Sequence, residues 1–134
     1  MIKNSMKRIG QFVFVALSLL ALTSFISNKS QQEDGLIVGT WIPEGSPNHR
    51  MVFSKSGVLT EYNENNVVYS SSNFKIATTS PQCGFEVEVG PLFSYLILEN
   101  ENEIICYEIL TLNAEYLALR TFGHGGQNRY YRQK

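Results

Sequence analysis

The stretch LFSYLILENENEIICYEIL, residues 92–110, holds two apolar runs on either side of a tetrad rich in Asn and Glu. Leu92–Leu98 and Glu103–Leu110 each have the length of a strand. Glu99-Asn100-Glu101-Asn102 between them has the chemistry of a tight turn, because Asn enters the left-handed backbone region cheaply. The segment therefore reads as an antiparallel hairpin. EYNENNVVY, at 61–69, repeats the design around Asn63-Glu64-Asn65-Asn66. We read the likeness as shared turn chemistry and not as an internal repeat.

Working outward, turn residues cut the chain at similar intervals from Leu36 to the end. Leu36–Pro43 is a first strand, closed by PEGSPN. His49–Phe53 follows, and Ser54-Lys55-Ser56-Gly57 turns it into Val58–Tyr62. Val67–Tyr69 continues through a Ser run to Phe74–Ile76. Thr78–Gln82 is a loop. FEVEVG at Phe85–Gly90 alternates Phe85, Val87 and Val89 against Glu86 and Glu88, the period of a half-buried strand. Glu115–Phe122 and Asn128–Gln133 complete the set. No window after Gly35 shows a helical stripe. Eight or nine short strands with hairpin connections predict an all-β, up-and-down antiparallel meander. Closing it into a barrel of about eight strands removes exposed edges, and a two-sheet sandwich is the competing architecture.

The N-terminus reads as an address. Lys3, Lys7 and Arg8 precede an apolar run from Ile9 to about Ile26 that contains FVFVALSLLAL. A charged start before an apolar core is the export pattern. Its length falls between a signal core and a membrane span, so residues 1–27 are expected to be a signal peptide or an N-terminal membrane anchor helix. NKSQQEDG, residues 28–35, is polar and reads as a flexible linker. Residues 36–134 form the domain. This assigns an exported location, with membrane contact only through the N-terminal segment.

Charge excludes one class of partner. From Asn28 onward eight Lys and Arg face twelve Asp and Glu, and the basic residues are scattered. Nucleic-acid binding needs a concentrated basic face, so none is expected.

Chemistry is sparse. Cys83 and Cys106 are an even pair in an exported chain, which suggests a disulfide. With a strand between theirs, two spacings of about 4.8 Å put them too far apart for a bridge. A bond then requires the loop before Phe85 to fold over the rim, and two buried thiols are the alternative. No His or Cys stands at metal-ligand spacing, and no cofactor is expected. His49 and His124 lack a neighbouring nucleophile and acid, the latter sitting in a GHGGQ turn. Ser70–Ser72 lack a nucleophile elbow. Glu86 and Glu88 read as a solvated strand face. No enzyme is expected.

Gly39-Thr40-Trp41 matches the G-x-W pattern near the start of lipocalin and calycin barrels, and the chain ends on Arg129-Tyr130-Tyr131-Arg132. With MVFSKSG, YEILTL, EYLAL and YYR, nearly all of Leu36–Lys134 resembles the small lipocalin-like domains of secreted Bacteroidetes proteins. The resemblance implies that a late Arg packs across Trp41 and closes the barrel, with Arg132 the first choice and Arg129 the second. Gly39 belongs to the same corner. It implies fold and compartment and little chemistry, so two roles stay open on the residues themselves. In the first, the barrel mouth holds a small apolar ligand. By parity its lining would be Phe53, Tyr62, Phe74, Phe85, Val87, Tyr107, Ile109, Leu117 and Leu119. In the second, the core is filled by side chains and the domain is a structural or interaction module of the cell envelope, with Tyr116, Tyr130 and Tyr131 as a surface patch. A monomer is expected.

Overall fold

A computed structural model describes residues 29–134. One helix, α1 (Lys29–Ile37), precedes eight strands: β1 (Gly39–Pro43), β2 (Arg50–Phe53), β3 (Val58–Tyr62), β4 (Val68–Ala77), β5 (Tyr95–Glu99), β6 (Ile104–Leu112), β7 (Tyr116–Thr121) and β8 (Gln127–Arg132). Each strand pairs antiparallel with the next, and β8 pairs back onto β1 to close a barrel. The expected all-β meander is therefore a closed barrel and not a sandwich. The export or anchor segment expected at 1–27 lies outside the described residues.

Alternation sorts the side chains. Trp41, Phe53, Leu59, Leu96, Leu117 and Leu119 are fully buried and meet in the barrel interior. Met51, Ile76, Leu98 and Ile109 join them, with Phe74, Ile105, Tyr107, Leu112 and Tyr130 packed against the cluster. An eight-stranded barrel is only just wide enough for its own side chains, and these aromatic and branched residues fill it.

Two departures from the sequence reading matter. Residues expected as a flexible linker are helical, and the first strand begins at Gly39 and not at Leu36. The polar sequence KSQQEDGLI carries no apolar stripe, so local pattern gave no helix. Packing at its C-terminal end fixes it instead, where Ile37 is buried in the core.

FEVEVG is not a strand of the sheet. β4 pairs directly with β5 from Asn73 to Ala77, so the segment that links them in sequence has no place between them in the barrel. The segment from Thr78 to Ser94 folds back over the outer face of the barrel. A bond between Cys83 and Cys106 holds it there, with Cα atoms 6.1 Å apart. Cys106 pairs with Ile97 and points outward from β6. The bridge thus spans loop to sheet face, and the strand-to-strand distance that argued against it does not apply. The flap covers Tyr95, Ile97 and Cys106 to make a second, external core with Ala77, Val87, Phe93 and Phe122. β5 is consequently buried on both faces. Inside the flap, side chains replace a neighbouring strand. The Val87 N–H donates to Ser80 Oγ at 2.9 Å and the Tyr95 hydroxyl to the Glu88 carbonyl at 2.6 Å.

Candidate functional site

The end of the barrel that carries α1 is sealed by Trp41 and Arg132. These residues are register partners on β1 and β8, so both point inward. The Arg132 guanidinium carbon lies 4.4 Å from the Trp41 ring centroid, a cation–π contact. The same guanidinium donates to the Val38 carbonyl at 2.8 Å and to the Leu36 carbonyl. The Trp41 indole N–H donates to the Ile37 carbonyl at 2.8 Å. The last carbonyls of a helix have no partner within it. Here the indole and the guanidinium supply partners, and the cation also suits the negative end of the helix. Gly39 is part of this corner for a steric reason. Its φ is +141°, and a Cβ there would collide with Arg132 Nη1. Arg129, three residues before Arg132, stands on the opposite face. It is exposed, pairs with Ala118 on β7, and its backbone carbonyl accepts from the Glu44 N–H at 2.8 Å.

The expected ligand lining divides. Phe53, Phe74, Tyr107, Ile109, Leu117 and Leu119 do face the interior, where they form or pack against the core. Tyr62 does not. It pairs with Arg50 on the outer surface, where the guanidinium lies 4.1 Å from its ring. Leu59 sets the inward parity of β3, so Glu61 takes the inward position and Tyr62 the outward one. Phe85 and Val87 are also outside the barrel, on the flap. Phe85 is 54% exposed. Of the expected tyrosine patch, Tyr116 and Tyr131 lie together on the outside with ring centroids 5.3 Å apart, while Tyr130 packs inward.

Towards the far end the interior becomes polar. Glu61 accepts a hydrogen bond from the Tyr69 hydroxyl at 3.4 Å. Burial raises the Tyr130 phenol pKa well above its ordinary value, with Tyr107, Glu61 and Tyr69 adding to the effect. Burial also raises Tyr107, with the Glu61 and Glu103 carboxylates adding. Both phenols thus stay protonated over the neutral range.

An aromatic-walled concavity lies outside the barrel, beneath the flap. A groove of about 500 Å³ runs between the flap and the outer face of β6 and β7, ending at the turn that carries His124. Its aromatic wall is Phe85, Phe93, Tyr95 and Phe122. Phe85 and Tyr95 both meet Phe122 nearly at right angles, with ring centroids 5.8 and 5.7 Å away. The rings therefore do not stack on one another, and their planes turn in two directions. Polar groups sit at the border: Glu86, Glu88 and an Arg120–Glu108 ion pair. This volume lies in the size range of small-molecule sites, and charged and polar side chains make up about half of its lining. Among the described residues no group of three or more His, Cys, Asp or Glu is placed to hold a metal ion.

Sequence reasoning placed Glu86 and Glu88 on a solvated strand and His124 in a hairpin tip. The groove that unites them depends on the flap. The pairing of Cys83 with Cys106 was the one signal in the sequence that pointed there. Comparison with protein-family models, with curated proteins and with solved structures finds no match for the chain.

Proposed function

We propose that this chain is an exported, lipocalin-like, non-enzymatic binding domain whose contact surface lies outside its barrel. The observation that carries the reading is the contrast between two sites. The interior is occupied by its own side chains, whereas the flap groove has about 500 Å³ of free volume beside an exposed Phe85. A small molecule with an aromatic or apolar body suits that groove, with the bordering carboxylates and Arg120 orienting its polar end. The barrel then acts as a rigid scaffold, as filled β-barrels do when loops carry the function. The G-x-W corner and the late Arg support a lipocalin-like origin. The disulfide suits an oxidising, exported setting.

Native mass spectrometry of the full chain, with its disulfide formed, tests this reading. The expected result is an added small mass that is lost when Cys83–Cys106 is reduced, because reduction frees the flap. A mass that survives reduction would place the ligand inside the barrel. Clean protein that also fails to bind any of a panel of aromatic fragments would overturn the reading.

A further inference from the structure

One strand of the closed barrel outruns its neighbour. β3 runs beside β4 from Val58↔Asn73 to Tyr62↔Val68. On its other side β4 meets β5 only from Asn73↔Glu99 to Ala77↔Tyr95. Above Asn73, β4 therefore has no neighbour on that side. The β5–β6 hairpin does not supply one, because it closes on itself. Its Asn100 N–H donates to the Glu103 carbonyl at 3.1 Å, and Asn100 Oδ1 accepts from the Asn102 and Glu103 N–H groups. The hairpin touches this edge only at its base, where Asn100 Nδ2 donates to the buried Ser72 Oγ at 3.4 Å. Beyond that contact a cleft of about 980 Å³ lies between the hairpin and Ser70 and Ser71. Inward-facing residues such as Glu61 and Ser72 line it together with outward-facing ones such as Val58 and Ser71.

The open edge has a definite hydrogen-bonding pattern. The Phe74 N–H donates to the Gly57 carbonyl across the β3 side. Alternation then points Ser72 and Ser70 to β3, and Asn73 and Ser71 to the open side. Asn73 is met by Glu99, and Ser71 has no strand opposite it. Unpaired edges are templates for an added strand, and proteins normally cover them. Three consecutive Ser side chains leave this one sterically bare. The charge around it is of one sign. Glu61, Glu99, Glu101 and Glu103 line the cleft, and no Lys or Arg does.

We propose that the Ser70–Ser72 edge of β4 takes an extended peptide strand bearing Lys or Arg from a partner protein. The strand pairs its backbone with Ser71 and sets its cations against the Glu side chains of the β5–β6 hairpin. This goes beyond the groove reading and rests on a different part of the surface. At about 3.4 Å per residue, β4 from Val68 to Ser72 accommodates a strand of some five residues.

The probes are fluorescein-labelled heptapeptides of alternating Lys and Val, alternating Glu and Val, and the Lys–Val peptide N-methylated at every second backbone nitrogen. They are titrated against the full chain by fluorescence anisotropy, with hydrogen exchange of the Ser71 amide followed by NMR. The expected result is binding of the Lys–Val peptide with slowed exchange at Ser71. The N-methylated peptide and the Glu–Val peptide should bind at least roughly tenfold more weakly. A triple change of Glu99→Gln, Glu101→Gln and Glu103→Gln should weaken the Lys–Val peptide and lower its salt sensitivity. Absence of Lys–Val binding overturns the proposal. So does equal binding of the N-methylated peptide, or unchanged Ser71 exchange, since either means adsorption by charge without strand pairing. The N-methylated arm leaves the protein untouched, so misfolding of a variant does not blur the outcome.

Discussion

Replacing Gly39 with Ala should unfold the sealed end of the barrel by way of Arg132, and a double-mutant cycle reads this out. The φ of +141° at Gly39 lies where L side chains are strained by about 1–3 kcal/mol. The new Cβ would also displace Arg132 Nη1 from its position beside the Val38 carbonyl. Hydrogen bonds to charged groups contribute about 1.5–3 kcal/mol, so Gly39→Ala should cost about 3–5 kcal/mol in all. Arg132→Ala should cost about 3–4 kcal/mol, from the lost carbonyl partners and the contact with Trp41. In the double variant the guanidinium is already gone, and only the backbone strain at Gly39 is added. The pair should therefore fall short of additivity by about 2 kcal/mol. Urea titration followed by the emission of Trp41, the single Trp of the chain, measures each term. Additivity within about 0.5 kcal/mol would mean that Gly39 and Arg132 do not share a site, and the account of this corner would be wrong.

Other consequences follow from the same geometry. Reducing Cys83–Cys106, which closes a loop across 23 positions, should cost about 3 kcal/mol by the loop-entropy relation. Amides of the flap should then exchange faster while those of β1 and β8 stay protected. Leu117→Ala, inside the barrel, should cost about 2–5 kcal/mol. Tyr62→Ala, on the outside, should cost well under half of that in the same melt. Because burial raises the pKa of Tyr107 and Tyr130 in the folded state, the unfolded chain loses those protons first. Stability should hold up to about the ordinary phenol value near pH 10 and fall above it. The double change Tyr107→Phe and Tyr130→Phe should flatten that fall in alkaline denaturation curves.

The barrel was legible because its signals are local and repeated. Asn-rich turns, a Ser-Gly turn and period-two runs mark seven of the strands within a residue or a few. β4 was read in two pieces because its Ser run carries no apolar alternation, yet it is one strand from Val68 to Ala77. The corner at Trp41 and Arg132 was legible through resemblance, since nothing local says that two residues 91 positions apart will touch. What escaped depended on long-range packing. The alternation of Phe85, Val87 and Val89 is real, yet it serves a flap stapled to the outside of β6 and not a place in the sheet. Tyr62 was assigned inward by parity, but the parity of β3 is set by the buried Leu59, which sends Glu61 inward and Tyr62 outward. The helix at Lys29–Ile37 has no stripe of its own and is held at its C-terminal end by partners from β1 and β8.

The central claim is that the barrel is solid and that ligands meet its outside. Methyl and aromatic chemical-shift mapping by NMR during titration with a small aromatic amine tests it most directly. The account predicts shifts at Phe85, Val87, Phe93 and Phe122, with Ile109, Leu117 and Leu119 unmoved. Shifts concentrated at those three interior residues, with the flap silent, would contradict it.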